Sequence, residues 1–209
     1  MALGDTDVSI CAHALLLLGE AEISSFSDGT ARAGICDAIY SDIRAQALSM
    51  YPWSFSMKKV VLAQSVTAPI NEWTYAYPMP SDSLTLAPRA VFNSTSTGVT
   101  PLTSGWELYE AAVLTDQSII VIDYQYQTDE ADMPAHFVLL LKYLMAMHLA
   151  EPVTDQISKG QHWERIAIGN PSEGGRGGQF RQAAAIDGMG QPSSFIQDYP
   201  LIDARQTLS

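Results

Sequence analysis

The sequence contains few charged residues, and few of those are basic. Asp, Glu, Lys and Arg make up 16% of its 209 residues, whereas soluble domains average about a quarter. Its 11 Lys and Arg stand against 23 Asp and Glu, which gives a formal net charge of -12. The longest basic run is the pair Lys58-Lys59. Because proteins that grip nucleic acid neutralise its phosphates with clustered Lys and Arg, this composition argues against such binding.

The acidic surplus has two interpretations. A net charge of one sign keeps a protein soluble, and composition alone favours this interpretation. The same charge also suits a surface past which DNA slides, since like charges discourage adhesion. Apolar residues make up 47% of the chain. Its length therefore allows one substantial core and leaves room for a small second lobe.

Cysteine is nearly absent, and no targeting segment is visible. Cys11 and Cys36 each lie inside a helical pattern and outside any Cys-x-x-Cys pair. The apolar run 14–18 is too short for a signal peptide and has no basic start. The apolar run 138–149 falls short of the roughly 20 residues that span a bilayer. We therefore expect buried, reduced thiols and a soluble protein made in the cytoplasm, with no membrane partner.

Helical periodicity marks the first quarter of the chain. Residues 5–19 predict a helix that Thr6 caps and Gly19 ends. Residues 30–50 predict a second helix. It is expected to end ahead of Pro52, because a residue that precedes proline resists the helical conformation.

Helical periodicity returns in the last third. Residues 134–151 are apolar nearly all round, which predicts a helix at the centre of a bundle. Asp132 is placed to cap this helix and Pro152 to end it. Thr154 is placed to cap a further helix. A final short helix is predicted over residues 179–186.

Between these helices the pattern changes to the short alternation of strands. We predict strands over residues 73–77, 83–92, 105–114 and 118–126. The last two are expected to form a hairpin with its bend at residues 115–117. A sheet of about four strands is stable only if it closes or packs against another element.

The predicted fold class is therefore α+β: an α-helical bundle with an inserted small antiparallel β domain and an extended C-terminal arm. The bundle comprises residues 1–66 and 132–187, the β-rich insertion residues 67–131, and the arm residues 188–209. The arm combines prolines with isolated apolar residues, a composition typical of segments that order along a partner. Its apolar residues are Phe195, Ile196, Tyr199, Leu201 and Ile202.

Residue types that carry catalysis or bind metals are scattered along the chain. His148 stands three residues before Glu151 on a predicted helix, a spacing that can present two metal ligands on one face. No second pair accompanies it, so we interpret both residues as helix-surface polar groups. The glycines of residues 174–178 surround one base, Arg176, and lack the P-loop pattern, which favours a flexible linker. We expect no catalytic residue, cofactor or metal.

Aromatic residues lie beside prolines on both sides of the change from helix to strand. We predict that five of them pack the junction between bundle and insertion rather than form a ligand platform. They are Trp53, Phe55, Trp73, Tyr75 and Tyr77. Trp106 follows a loop rich in Ser, Thr and Gly. It is a candidate interface anchor, because exposed aromatic residues are frequent interaction hot spots.

A series of landmarks follows one order through residues 5–168. They are VSICAHALLLLG at residues 8–19, Tyr40 and Arg44, YPWSF at 51–55, WTYAYPMPSDSL at 73–84, a hairpin over 109–124 with Leu114-Thr115-Asp116 at its bend, and the apolar helix of 137–149. In this order they resemble the tail tubular protein A, or head-tail adaptor, family of tailed bacteriophages. The Gly-rich stretch 174–178 departs from the continuous C-terminal helix of that family.

The resemblance implies a structural virion protein and not an enzyme. Subunits of the family form a homo-oligomeric ring, typically of twelve copies, which sits under the portal protein and continues the DNA channel toward the tail. The helical body meets the portal and the neighbouring subunits, and the β insertion points toward the next tail or neck protein. DNA passes through the lumen without specific binding. The location implied is the neck of the virion, between portal and tail.

Within that arrangement two regions are assigned to partners. We expect the apolar residues of the arm to dock on the portal. We expect the loop that contains Asn93, Thr97 and Trp106 to face the tail.

Two alternative functions stay open. Another neck protein, a stopper or a tail terminator, differs from an adaptor only in its partner. A soluble hydrolase with a helical lid over a small sheet is the third hypothesis. It requires a convergent polar pocket, for which the sequence contains no motif.

Overall fold

The structure, a computed structural model, describes residues 4–70 and 72–190. Over these residues the chain is a mixed α+β protein with five α-helices and two small antiparallel sheets. The helices are α1 (Asp7–Leu17), α2 (Ala31–Ser49), α3 (Ala135–Thr154), α4 (Ile157–Ile168) and α5 (Gly178–Gly188).

Six strands lie between α2 and α3. They are β1 (Met57–Val61), β2 (Tyr75–Pro78), β3 (Ala90–Phe92), β4 (Trp106–Tyr109), β5 (Ala112–Thr115) and β6 (Val121–Gln125). The first sheet has the order β1-β6-β3 and the second sheet the order β2-β5-β4. β1 continues directly from a 3-10 turn, Ser54–Ser56, and was not among the strands predicted from the sequence.

The ends of α1 and α2 follow the local rules for helix caps. The Thr6 hydroxyl accepts a hydrogen bond from the backbone N–H of Ser9, and the Ser9 hydroxyl accepts one from the N–H of Thr6. Gly19 has φ +80°, the left-handed conformation that ends many helices. Thr30 caps α2 in the same way as Thr6 caps α1, by accepting from the N–H of Ala33. The predicted caps at Thr6 and Gly19 are confirmed.

The start of α3 differs from the prediction. Its N-cap is Pro134, and no side chain accepts a hydrogen bond there. Asp132 instead closes a 3-10 turn, Glu130–Asp132, so the predicted Asp132 cap is wrong. The apolar side chains of α3 hold the helix without a cap, because they pack against all four other helices.

The prediction that Pro152 ends α3 is also wrong, since the helix continues to Thr154. Proline costs least near a terminus, where few hydrogen bonds follow it. The helix ends at Asp155, whose φ of 53° is left-handed. The Thr154 hydroxyl donates to the Ala150 carbonyl at 2.6 Å. Thr154 therefore does not cap α4, whose N-cap is Gln156.

By length and composition alone, α3 could span a membrane: it has 20 residues and a mean hydropathy of 1.3 over its most apolar window. In the folded chain, however, it contributes nine buried residues to the core. Among them are Phe137, Leu141 and Met145, which are fully buried. We therefore describe α3 as the central core helix of the protein.

The hairpin in the strand region lies earlier than predicted. It joins β4 to β5 through Glu110 and Ala111, with Tyr109 opposite Ala112. The expected hairpin with its bend at residues 115–117 is wrong, because β5 and β6 belong to different sheets. Both turn residues have positive φ, 48° and 58°, as a two-residue turn between twisted strands requires. The pair Glu-Ala is not a sequence signal for such a turn, whereas a pair such as Asn-Gly is.

The hydrophobic residues form two clusters. One contains the buried faces of the five helices. The other lies between the two sheets and includes Tyr77, Val113 and Ile122. Cys11 and Cys36 lie in the helical cluster, where their thiols form a hydrogen bond. This hydrogen bond and burial raise the pKa of Cys11. The prediction of buried, reduced cysteines is confirmed.

Four of the five aromatic residues expected at one junction divide between these clusters, so that prediction is wrong. The fifth, Trp73, belongs to neither cluster, and its indole N–H donates to Glu107 Oε2 at 3.2 Å. Trp53 is fully buried among helical residues, with the rings of Phe137 and Phe180 within 6.1 Å of its own. Phe55 packs beside it. Tyr75 and Tyr77 belong to the β cluster. The chain between α2 and β2 leads from the helical cluster to the β cluster. The aromatic residues near its start and those in β2 therefore lie in different clusters.

The Gly-rich segment after α4 is a packed turn rather than the flexible linker that its composition predicts. A Cβ on Gly178 would lie 2.5 Å from the carbonyl oxygen of Ile166, and one on Gly177 would collide with the Glu173 carboxylate. The Gly177 N–H also donates to the Ile168 carbonyl at 2.8 Å. Glycine is therefore needed because the chain passes against the end of α4.

Candidate interaction surfaces

The loop assigned to the tail side leads from β3 to β4. The Asn93 side-chain amide donates to Gln117 Oε1 at 3.3 Å, and Thr97 is exposed. Trp106 is half-buried against the β cluster, and its indole N–H donates to the Leu102 carbonyl at 3.4 Å. The loop thus presents polar side chains, and only part of the Trp106 ring is accessible to a partner.

The apolar residues assigned to the portal lie outside the described residues. They are Phe195, Ile196, Tyr199, Leu201 and Ile202. The described chain reaches Gly190, just beyond α5.

The end of α5 is fixed by Asp187, whose side chain is only 2% exposed. Its carboxylate accepts hydrogen bonds from the Ser54 N–H at 2.9 Å and from the Ser54 hydroxyl at 2.7 Å. A carboxylate at the C-terminal end of a helix faces the negative end of the helix dipole. The two hydrogen bonds offset that cost, and they hold α5 against the 3-10 turn that precedes β1.

His136 completes this group of polar side chains. Its Nε2 atom lies 3.9 Å from Asp187 Oδ1 and has no hydrogen-bond partner among the described residues. Burial lowers the pKa of His136, and Asp187 opposes that shift. A Ser-His-Asp triad requires the serine hydroxyl to bond to the imidazole. Here Ser54 donates to the carboxylate instead, so the arrangement tethers α5 and does not activate a nucleophile.

Glu130 connects α2 to the segment that leads into α3. Its Oε1 atom accepts from the Tyr40 hydroxyl at 2.8 Å and from the Arg44 guanidinium at 2.6 Å. Burial and the Glu130 charge raise the pKa of Tyr40. Tyr40 and Arg44 are two of the landmarks of the family resemblance, and the structure brings both to one carboxylate.

Two shallow grooves flank the C-terminal half of α3. One, of about 340 Å³, has an apolar floor that includes Ile35 and Ile39 from α2. The other, of about 540 Å³, contains the pair His148 and Glu151. Burial lowers the pKa of His148. Within residues 4–70 and 72–190, no three His, Cys, Asp or Glu side chains are grouped as a metal site requires.

The most exposed aromatic residue of the sheets is one that the sequence analysis missed. Tyr109, at the end of β4, is 61% exposed, and Val61 at the end of β1 is 53% exposed. The alternation of residues 106–109 already places Tyr109 on the opposite face from Trp106. That signal predicts the exposure of Tyr109 only once the position of the hairpin is known.

Comparison with protein-family models gives no match for this chain, and comparison with curated proteins gives no significant match.

Proposed function

We propose that this chain is a head-tail adaptor of a tailed bacteriophage. In this role it is a structural virion protein without catalytic activity. Its copies form a ring between the portal and the next tail or neck protein, and the ring continues the DNA channel. The order of the elements carries the proposal: two helices, six strands and three helices, with the helices from both ends sharing one core. The resemblance implies the same coarse order for the adaptor family: helices, a β insertion and helices again.

The finer architecture belongs to the same proposal. We propose a helical bundle built from the helices on both sides of the strands, including residues 132–187, an inserted β domain that ends at residue 131, and an arm from residues 188–209. Because β1 pairs with β6, the inserted domain of this proposal begins at β1 (Met57–Val61) and not at residue 67 as predicted. The contact of Tyr40 and Arg44 with Glu130 supports it, because it ties the helices before the strands to the chain where it returns.

Surface on the helices supports self-association. Leu16, Ile157 and Ile186 are large apolar residues that are 54%, 62% and 41% exposed. The groove floored by Ile35 and Ile39 adds apolar area between α2 and α3. Continuous apolar surface marks contacts with other proteins, and the groove between α2 and α3 is the continuous part of this surface.

The charge distribution supports a channel through which DNA slides. In the described part of the chain, five bases are already paired with carboxylates. The pairs are Arg32–Glu20, Arg44–Glu130, Lys58–Asp82, Lys142–Asp5 and Arg181–Glu173. Most of the 23 acidic residues therefore have no base to neutralise them, and an acidic lumen repels a polyanion.

Truncation after Gly190 tests the role assigned to the arm. The described helices and strands precede this point, so we expect an unchanged circular dichroism spectrum and melting temperature. We expect binding to the cognate portal to be lost, measured by co-sedimentation.

A full-length variant with Ser in place of Phe195, Tyr199 and Leu201 is the matched control for chain length. It is expected to lose portal binding as the truncated chain does. A truncated chain that still binds the portal would contradict the docking role of the arm. Binding to a tail protein in place of the portal would favour a stopper or a tail terminator.

A further inference from the structure

The first sheet has a free edge at β1. The Leu62 N–H donates to the Ile120 carbonyl, and the Tyr126 N–H donates to the Ser56 carbonyl. In antiparallel pairing the backbone groups of alternate residues point to the same side. Even-numbered residues of this segment therefore face β6, and Met57, Lys59 and Val61 direct their backbone groups outward. Across the described residues no hydrogen bond reaches these outward groups.

The side chains of β1 combine lysines, which are common on edge strands, with exposed valines. All four residues from Lys58 to Val61 are exposed, including the apolar Val60. The Lys58 ammonium pairs with Asp82. Lys59 contacts the ring of Phe92, 4.5 Å from its centroid, and no carboxylate of the described residues lies within ion-pair distance of it. The edge of β1 thus offers backbone groups, valine side chains and Lys59, which lies opposite Asp123 of β6 but beyond ion-pair distance of it.

The second sheet carries a groove of complementary character on its outer face. The strand registers place Ala76, Leu114 and Glu107 on this face, next to Tyr109 and Ala112. The groove has a volume of about 650 Å³ and an apolar floor.

Acidic residues surround this groove. Three carboxylates, those of Glu72, Glu107 and Glu110, line it, and no Lys or Arg is among its lining residues. Two of its lining residues, Glu107 and Tyr109, belong to β4, which is an edge strand of the second sheet.

We propose that β1 of one copy docks along β4 of the next copy. Lys59 then meets the carboxylates of Glu107 and Glu110, and Val61 packs on Tyr109. Edge strands pair readily with strands of other chains, and charge complementarity selects the partner. The two surfaces differ, so the contact is head-to-tail and generates a ring when it closes. Closure around a portal rests on the proposed adaptor function, whereas the pairing rests on the two surfaces.

Charge reversal on each side tests this contact. Lys59→Glu places like charges opposite Glu107, and Glu107→Lys places like charges opposite Lys59. Each variant alone is expected to weaken self-association at least about tenfold, measured by sedimentation and native mass spectrometry. Arg176→Glu is the control, because Arg176 is exposed, lies away from both sheets and changes the net charge as Lys59→Glu does. We expect it to associate as the unchanged protein does.

Mixing the two variants separates this contact from misfolding. In a 1:1 mixture, unlike variants can alternate around the ring. One contact then pairs the new carboxylate at position 59 with the new ammonium at position 107, and the next pairs the unchanged Lys59 with the unchanged Glu107. Opposite charges face each other at positions 59 and 107 in both contacts, and assembly is expected to recover in part, because Glu110 is unchanged. Two misfolded variants cannot rescue each other.

The measurements are made on the chain alone and with the cognate portal. If neither charge reversal weakens assembly on the portal, the proposed pairing of β1 with β4 is wrong and the adaptor function stands. Self-association with rescue on mixing, but without portal binding, supports the pairing and contradicts the adaptor function. A chain that stays monomeric in both settings overturns both, and the lysines then only protect the edge of β1.

Discussion

Gln125 is the residue that joins the strands to the helices. Its side-chain amide donates to the carbonyls of Leu48 and Tyr51 at 2.7 and 2.9 Å, and to the Ser56 hydroxyl at 2.9 Å. The side chain is buried at the end of β6, where the chain leaves the sheet for the helices. Both carbonyls belong to the end of α2 and the residues after it, so one amide satisfies polar groups of that connection.

Gln125→Glu replaces this donor by an oxygen that faces two carbonyls. We expect the free energy of unfolding at pH 7 to fall by about 3 kcal/mol, since the change leaves buried acceptors unpaired and buries a charge. Burial and the carbonyl dipoles raise the pKa of the new carboxyl above its unfolded value of about 4.3. The loss is therefore largest at neutral pH and shrinks as the pH falls through the folded pKa, which urea unfolding at several pH values measures.

Gln127→Glu is the control for this substitution. It adds the same charge two residues later at an exposed position. We expect a change within about 0.5 kcal/mol. Equal effects at the two positions would contradict the role given to Gln125.

Residue-scale features were predictable from the sequence only where they are local. Thr6 and Gly19 act within a few residues of themselves, and the sequence indicates both roles. The contact of Gln125 with Leu48 spans 77 positions, and that of Asp187 with Ser54 spans 133. No periodicity or cap rule carries information over such separations, because the tertiary fold creates these contacts.

At the scale of elements, the β4-β5 hairpin holds the clearest conflict between local preference and fold. A residue with a Cβ in the left-handed conformation costs about 1 kcal/mol relative to the right-handed one. Glu110 and Ala111 both adopt it. The strands impose this turn because β5 pairs with β2 on one side and β4 on the other. Pro152 is a similar case, since packing carries α3 past a residue that usually ends a helix.

Ala111→Gly removes the Cβ at a position of positive φ. We expect the free energy of unfolding to rise by about 0.5 kcal/mol, the relief of strain less the added entropy of the unfolded chain. Ala112→Gly makes the same change one residue later, in β5 and outside the positive-φ residues. We expect that variant to lose about 1 kcal/mol. Urea unfolding of both measures the difference, and shifts of the same sign would contradict the turn geometry.

At the scale of the whole molecule, the sequence predicts the α+β class and the order of helical and strand regions. The helices show a period of 3.6 residues over long segments, which is a strong signal. The division of the strands between two sheets was not predictable. The strands have only three to five residues, and pairing depends on contacts that short alternating runs do not encode. Val61 and Tyr109 lie on edge strands of two different sheets. This placement follows only from the division of the strands, so the sequence alone does not indicate it.

The charge of the molecule links the monomer to its proposed assembly. Five of the ten described bases are engaged in ion pairs within the chain. Lys59 is one of the five that are not, and a groove with three glutamates lies on the other sheet. The proposed head-to-tail contact would neutralise these groups between copies and leave the remaining acidic surplus on the proposed ring. That distribution agrees with a channel that DNA crosses without binding.

The mass per particle of the chain mixed with its cognate portal tests the central claim most directly. Native mass spectrometry or light scattering of the mixture gives the number of copies bound to each portal. The adaptor function predicts one stoichiometric complex that carries a full ring of this chain, twelve copies if it follows the family that it resembles. A chain that remains a monomer and leaves the mass of the portal unchanged would contradict it.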